Sequence, residues 1–303
     1  MTEQPRSRVF LWVLLGGGAF FLFLLAVFAL VYFSVRSQQK SSFSSFGDKI
    51  AVLDLEGVIL SPKDMVEQLR KYGDDSSIKA IIIHVNSPGG GAAASEEIYR
   101  EVLRIRDVKK KRIVASIETV GASGAYYVSS ATNKIFADQA SIVGSIGVIA
   151  EWYNYEELIK WAKLKAIVLK AGEFKDTGSP AREMTPAERA YLQGIIDDMH
   201  GQFIHSVAQG RHMTDAQIQP LADGKVWTGE QAMPLKLIDQ IGDFRSAVED
   251  TAKSVGIKGE PTLVRPEKDR KSVLDLLFGD ASEYLPDTAK LMQSNAEFYF
   301  LWK

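Results

Sequence analysis

The chain has 303 residues, 46% hydrophobic and 24% charged, enough to bury a substantial core in one or two domains. Its 36 basic and 38 acidic residues leave a net charge of −2, without the basic excess that accompanies a nucleic-acid partner, so no nucleic acid is expected. The absence of cysteine excludes disulfides, thiolate metal sites and cysteine nucleophiles.

The first element in chain order is Val9 to Phe33, which carries no charged side chain and, at about 1.5 Å per residue, exceeds the roughly 30 Å hydrocarbon core of a bilayer. It reads as a transmembrane anchor over 9–33. A cleaved signal peptide would carry a shorter apolar region of about 7–15 residues ending at a small-x-small site, whereas this stretch runs on into Ser34-Val-Arg-Ser. The expected organisation is a cytoplasmic tail over 1–8, the anchor, a flexible serine-rich linker over 34–47, a folded domain over 48–260 and a C-terminal extension over 261–303. Arg6 and Arg8 on one flank nearly balance Arg36 and Lys40 on the other, so flanking charge alone does not orient the span.

Beyond the linker, β-branched runs alternate with helical patterns. Strands are expected at 50–55, 80–85, 112–117, 134–137, 146–150 and 166–169. Helices are expected at 63–72, 95–105, 155–164, 186–209, 215–221, 228–235 and 244–255. The 186–209 helix is marked most clearly, by Thr185 as cap, Pro186 in the first turn and Glu188 at capping-box spacing. Such alternation defines an α/β fold with a mainly parallel sheet. The aromatic end, Phe298 to Trp302, is expected to pack on its own domain or on a neighbouring subunit.

Two short motifs can carry chemistry. Asn86-Ser-Pro-Gly-Gly-Gly91 follows an apolar strand and can offer free backbone N–H groups to an anion, although a tight turn is the plainer reading. It lacks both the Lys-Ser/Thr of a phosphate loop and the spacing of a dinucleotide loop. Gly121-Ala-Ser-Gly-Ala125 also leaves a strand and opens a helix, placing Ser123 as either a helix cap or a nucleophile with the Gly124 amide beside it. A serine nucleophile needs a base. The four histidines, His84, His200, His205 and His212, are not placed to recommend a triad, and Lys175 is one of several lysines in its region.

Taken together, Asn86-Ser-Pro-Gly-Gly, Gly121-Ala-Ser-Gly-Ala-Tyr-Tyr, Val143-Gly-Ser-Ile-Gly-Val, Gly172-Glu-Phe-Lys-Asp-Thr-Gly-Ser-Pro and Gly224-Lys-Val-Trp-Thr-Gly-Glu-Gln-Ala resemble the signal peptide peptidase A family of serine proteases, in the family's order and over roughly 48–256. The resemblance implies a Clp/crotonase-like fold of repeated strand-strand-helix units. It implies Ser123 as nucleophile, Lys175 as general base, Ser145 as the residue orienting that lysine, and the amides of Gly90 and Gly124 as an oxyanion hole. It calls for no cofactor and no metal. It implies a single-pass protein of the cytoplasmic membrane whose catalytic domain lies on the periplasmic or extracellular side. The partners it implies are the lipid bilayer around 9–33, remnant signal peptides with small and apolar residues, and further copies of the chain in a homo-oligomeric ring, where Ser123 meets a neighbour's Lys175. The rival readings are a regulatory protease cutting one membrane-protein partner, a crotonase-like enzyme acting on acyl thioesters, and a membrane scaffold without chemistry.

Overall fold

The computed structural model describes residues 48–266 and 299–302. The expected tail, anchor and linker over 1–47 lie outside the described residues. Among the described residues no helix is long and apolar enough to cross a membrane.

The architecture is α/β. Strands β1 (Lys49–Ile59), β2 (Ile78–Gly91) and β3 (Arg112–Ala122) form the parallel centre of the sheet, linked by helices α1 (Lys63–Asp74) and α2 (Ala92–Leu103), the latter continued by a π-helical turn at Arg104–Val108. Helix α3 (Gly124–Ser130) leads from β3 to β4 (Lys134–Ala137) and then β5 (Ile142–Gly144), both of which pair with β3 in parallel. A short helix α4 (Glu156–Trp161) and the long α5 (Pro186–Gly210) follow, then α6 (Asp215–Ile218) with a 3-10 turn. Strand β6 (Val226–Thr228) pairs antiparallel with β5, α7 (Gly229–Ala232) follows, and β7 (Gln240–Ile241) pairs with β4. The described chain closes with α8 (Phe244–Ser254), β8 (Thr262–Val264) beside β1, and β9 (Tyr299–Leu301), antiparallel to the end of β2. The described parts of the 261–303 segment thus supply two strands of the sheet.

The central strands are apolar at nearly every position because both faces of the sheet are covered. Leu53, Ile81, Ile83, Ile113 and Ala115 point into the main core with Leu69, Ile98, Tyr126 and Phe203, while Ile50, Ala80 and Ile82 point the other way onto Val248 and Ala252 of α8. Successive side chains of a strand point to opposite faces, so one unbroken run supplies both layers. Helix α5 begins where the sequence expects: the Thr185 side chain accepts from the Glu188 N–H while the Glu188 carboxylate accepts from the Thr185 N–H.

Two expected strands do not form. Positive φ at Gly144 (91°) and Ser145 (53°) ends the extended backbone, so the strand here is 142–144, held in register by β3, and does not run over 146–150. Among the described residues the 166–169 segment has no neighbouring strand to supply a hydrogen-bond ladder, and Ile167 and Leu169 are 82% and 96% exposed. The reverse occurs at Ser87 to Gly91, expected as a loop, where β1 on one side and β9 on the other keep the glycines extended.

One buried ion pair fastens the far edge of the sheet. The Arg211 guanidinium donates to both Asp239 oxygens at 2.8 and 2.7 Å, and that carboxylate also accepts from the Ile135 N–H at 2.7 Å. The Arg211 side chain is 7% exposed and Asp239 32%, so removing the carboxylate strands a desolvated cation. Asp239→Ala should destabilise the fold by about 3 kcal/mol, the lower end for a broken buried pair because Asp239 is partly wet. A urea melt checks this, and an unchanged midpoint would show the pair to be idle.

Candidate active site

Strands β3 and β5 end side by side, Ala122 opposite Gly144, and each delivers a serine to the same edge of the sheet. Ser123 caps α3 with φ 53° and ψ −118°, a sparsely populated conformation for a residue with a side chain. Its N–H donates to the Gly144 carbonyl at 2.7 Å, which fixes the turn. Ser145 also has φ 53°, and its N–H donates to the Lys225 carbonyl at 2.8 Å. The Lys225-Val-Trp-Thr run, whose role the sequence leaves open, is therefore the backing of Ser145: it enters β6 and lies antiparallel along β5.

The Ser123 hydroxyl is the unusual group. Ser123 is 1% exposed and its Oγ has no hydrogen-bond partner among the described residues. A buried hydroxyl left unpaired costs about 1–3 kcal/mol, so its retention in a strained turn points to a function that a helix cap would not need. The side chain makes no capping bond to the helix it precedes.

The amides around it converge. A Cβ on Gly89 would fall 2.6 Å from the Gly124 nitrogen, and one on Gly124 would fall 3.2 Å from the Gly90 nitrogen. Gly89 also has φ 98°, which a side chain disfavours. Three glycines thus let two backbone N–H groups, one from β2 and one from α3, approach the same point beside Ser123. Ser95, which no motif in the sequence marks, lies under this point: it is fully buried, donates to the Gly91 carbonyl at 2.9 Å, and leaves 2.4 Å to a Cβ on Gly124.

Lys175 is not brought to this cluster. It is exposed, in the irregular 162–185 segment, and does not hydrogen-bond Ser123. Its loop is nevertheless built firmly. Arg182 donates to Asp176 at 3.0 Å and to Glu188 at 2.9 Å, and Lys170 reaches Asp176 from the other side. The Arg182 guanidinium, helped by the Thr185 N–H, holds the Glu188 carboxyl at about 2, below its ordinary 4.5. Because the folded value lies below the unfolded one, the stabilisation from Glu188 is complete above about pH 4.5 and lost as pH falls towards about 2. The gap between thermal melts of the unchanged chain and Glu188→Gln should be full at pH 7 and shrink to less than half at pH 3. An equal gap at both pH values would remove the carboxylate from the account.

None of the histidines replaces the lysine. His84 faces Asp54 at 3.6 Å and the Phe244 ring, His205 meets Asp215 at 3.2 Å, and no hydrogen bond joins either to Ser123. Among the described residues no group of three or more acidic or histidine side chains could hold a metal ion.

A buried, unpaired serine hydroxyl at a strained strand-to-helix turn, with two amides converging beside it, is the apparatus of a serine hydrolase. Comparison with known proteins narrows that class. The profile of peptidase family S49 matches residues 106–258. A Synechocystis protein named as a protease is 33% identical over 236 residues, 78% of this chain and 84% of that one. Protease 4 of Haemophilus influenzae is 35% identical over 217 residues, 69% of this chain and 35% of the other. An Enterococcus faecium protein that bears the name signal peptide peptidase SppA is 34% identical over 191 residues, 63% of this chain and 55% of its own length. The chain belongs to peptidase family S49, among the signal peptide peptidase A proteins. It is a serine peptidase.

Proposed function

We propose that this peptidase is an endopeptidase of the cytoplasmic membrane that degrades remnant signal peptides, with Ser123 as nucleophile and Lys175 as general base. The observation that carries the reading is the Ser123 hydroxyl, buried, unpaired and set beside the converging amides of Gly90 and Gly124. Neutral Lys175 would take the Ser123 proton as Oγ attacks a peptide carbonyl. The two amides would hold the oxyanion, and the lysine would return the proton to the departing amine before water releases the acyl group. Ser145 would orient the lysine amine.

Because Ser123 and Lys175 do not meet within one chain, we place the dyad between neighbouring subunits of a homo-oligomeric ring. The segment bearing Lys175 supports this: Trp161, Ile167 and Leu169 are 81%, 82% and 96% exposed, an apolar surface of the kind that a neighbour covers. A neighbour would also shield the lysine amine from water, which favours its neutral form. The Clp/crotonase-like character of the fold is part of the same reading. So are anchoring through 9–33, supported by the uncharged apolar run from Val9 to Phe33, and placement of 48–260 on the periplasmic or extracellular side, which rests on the family resemblance.

The test is labelling with a serine-directed fluorophosphonate and, on separate unlabelled protein, digestion of a synthetic signal peptide in detergent. The reading expects the label on Ser123 and internal cleavage of the peptide. Label elsewhere, or no label with an intact peptide, would sink it.

A further inference from the structure

Lys175 lies between a stretch with little support and one that is held tightly. On its N-terminal side Ile167 and Leu169 are exposed, and no described strand lies beside them. Around the lysine itself the main chain runs through successive turns. The Lys175 N–H donates to the Gly172 carbonyl at 3.3 Å, the Thr177 N–H to the Phe174 carbonyl at 3.2 Å, and the Ser179 N–H to the Asp176 carbonyl at 3.0 Å. The Phe174 ring rests on Tyr191 of α5, with 5.3 Å between centres. Gly178, at φ 79°, lets the loop close on Trp152, where a Cβ would fall 3.0 Å from the indole nitrogen.

Arg182 ties these turns to the helix. Its Nε donates to Asp176 Oδ2 at 3.0 Å and its Nη2 stands 2.9 Å from Oδ1, so it grips both oxygens of the residue next to Lys175. Nη2 also reaches the Asp176 main-chain carbonyl at 3.3 Å. The other side of the guanidinium goes to Glu188, with Nη1 2.9 Å from Oε2. Glu188 is 3% exposed and closes the capping box of α5, which makes it a fixed anchor. One side chain thus joins the main chain beside Lys175 to the first turn of a 25-residue helix. Arg182 and Lys170 hold the Asp176 carboxyl well below its ordinary 3.8, so the grip is complete at neutral pH.

A bidentate fork fixes direction as well as distance, a constraint that a surface loop does not need in order to fold. We propose that Arg182 is a positioning residue for the peptidase reaction: by joining Asp176 to Glu188 it sets where the Lys175 main chain stands, and hence where the lysine amine meets Ser123. The inference rests on the reading of Lys175 as general base. The lysine stem is flexible, so its amine is aimed well only from a main chain that does not move. A misplacement of about 1 Å costs about a hundredfold in rate.

The experiment uses the full chain in detergent with two variants. Arg182→Lys keeps the charge and loses the fork, and Asp176→Asn keeps the shape and loses the charge. On a synthetic signal peptide carrying a fluorophore and quencher, each should lower kcat about a hundredfold with KM within about twofold and circular dichroism unchanged. A raised KM at unchanged kcat, or no change in either, overturns the proposal. If Arg182→Lys fails to fold, Asp176→Asn decides. Full kcat in both variants beside an inert Lys175→Ala would overturn the positioning role and leave the base reading standing. An active Lys175→Ala would overturn the two together.

Mixed rings separate positioning from general support. Ser123→Ala chains supply the lysine and Lys175→Ala chains the serine. Arg182→Lys on the lysine-supplying chain should lower the recovered activity about a hundredfold, and on the serine-supplying chain should leave it within about twofold. Equal losses on the two chains would show that Arg182 supports the fold rather than the lysine, and overturn the proposal. Should the parent mixture recover nothing, the sharing of the site between subunits fails by itself, and kcat and KM of the unmixed variants decide on Arg182.

Discussion

Ser123→Ala and Lys175→Ala should each lower peptide hydrolysis by about ten-thousand-fold or more, the scale of losing a nucleophile or its base where the two act as a unit. The two losses should not add, since the serine without its base is already inert. Neither change should alter the fold. Ser123→Ala keeps the turn, because the bond that fixes it, from the Ser123 N–H to the Gly144 carbonyl, is main chain. Lys175 is exposed and bears no core contact. Hydrolysis of a quenched fluorescent peptide at matched oligomeric state measures both. Retained activity in Lys175→Ala would send the search for the base back to the histidines.

The same pair tests where the site is assembled. Mixing Ser123→Ala chains with Lys175→Ala chains in equal amounts should restore about a quarter of the activity, because in a head-to-tail ring about one interface in four joins an intact serine to an intact lysine. Sites confined within one chain would restore none.

The second large effect is expected at Gly90. A methyl group there would fall 2.2 Å from the Ile59 carbonyl oxygen and 2.5 Å from the Ile59 nitrogen, both main-chain atoms of a paired strand that cannot swing aside. Gly90→Ala must therefore push β1 and β2 apart and carry the Gly90 N–H away from its position near Gly124. Losing one oxyanion donor costs about 10²–10³-fold in kcat, and the overpacking should cost about 1–3 kcal/mol of stability. Gly91→Ala is the control, since the nearest atom to a Cβ there is 3.6 Å away. Equal kcat values for the two variants would remove the Gly90 amide from the mechanism.

Much of this is legible in the sequence. The central strands declare themselves as β-branched runs because both of their faces are buried, and α5 declares itself because Thr185 and Glu188 form a capping box whose chemistry is local. Small residues where a strand gives way to a helix mark Ser123 and Gly124, and Gly90 is picked out of its glycine run only by the family resemblance. The expected strand at 166–169 does not form because a β-branched run expresses a preference that only a partner strand can satisfy, and none of the described strands lies beside it. The glycine segment is extended rather than looped for the converse reason. Its extended backbone is enforced by β1 and by β9, a strand from more than two hundred residues away along the chain.

By itself, the sequence determined the composition of the core, the α/β alternation, the long capped helix and the five motifs that mark the family, because each depends on residue types at short range. Only the tertiary structure decided that Ser123 is buried without a partner, that Lys175 stays away from it within one chain, and that the Lys225 to Thr228 run supports Ser145. Those facts depend on strand register and on pairings between distant segments, and both emerge only when the sheet closes and one segment's backbone becomes another's partner.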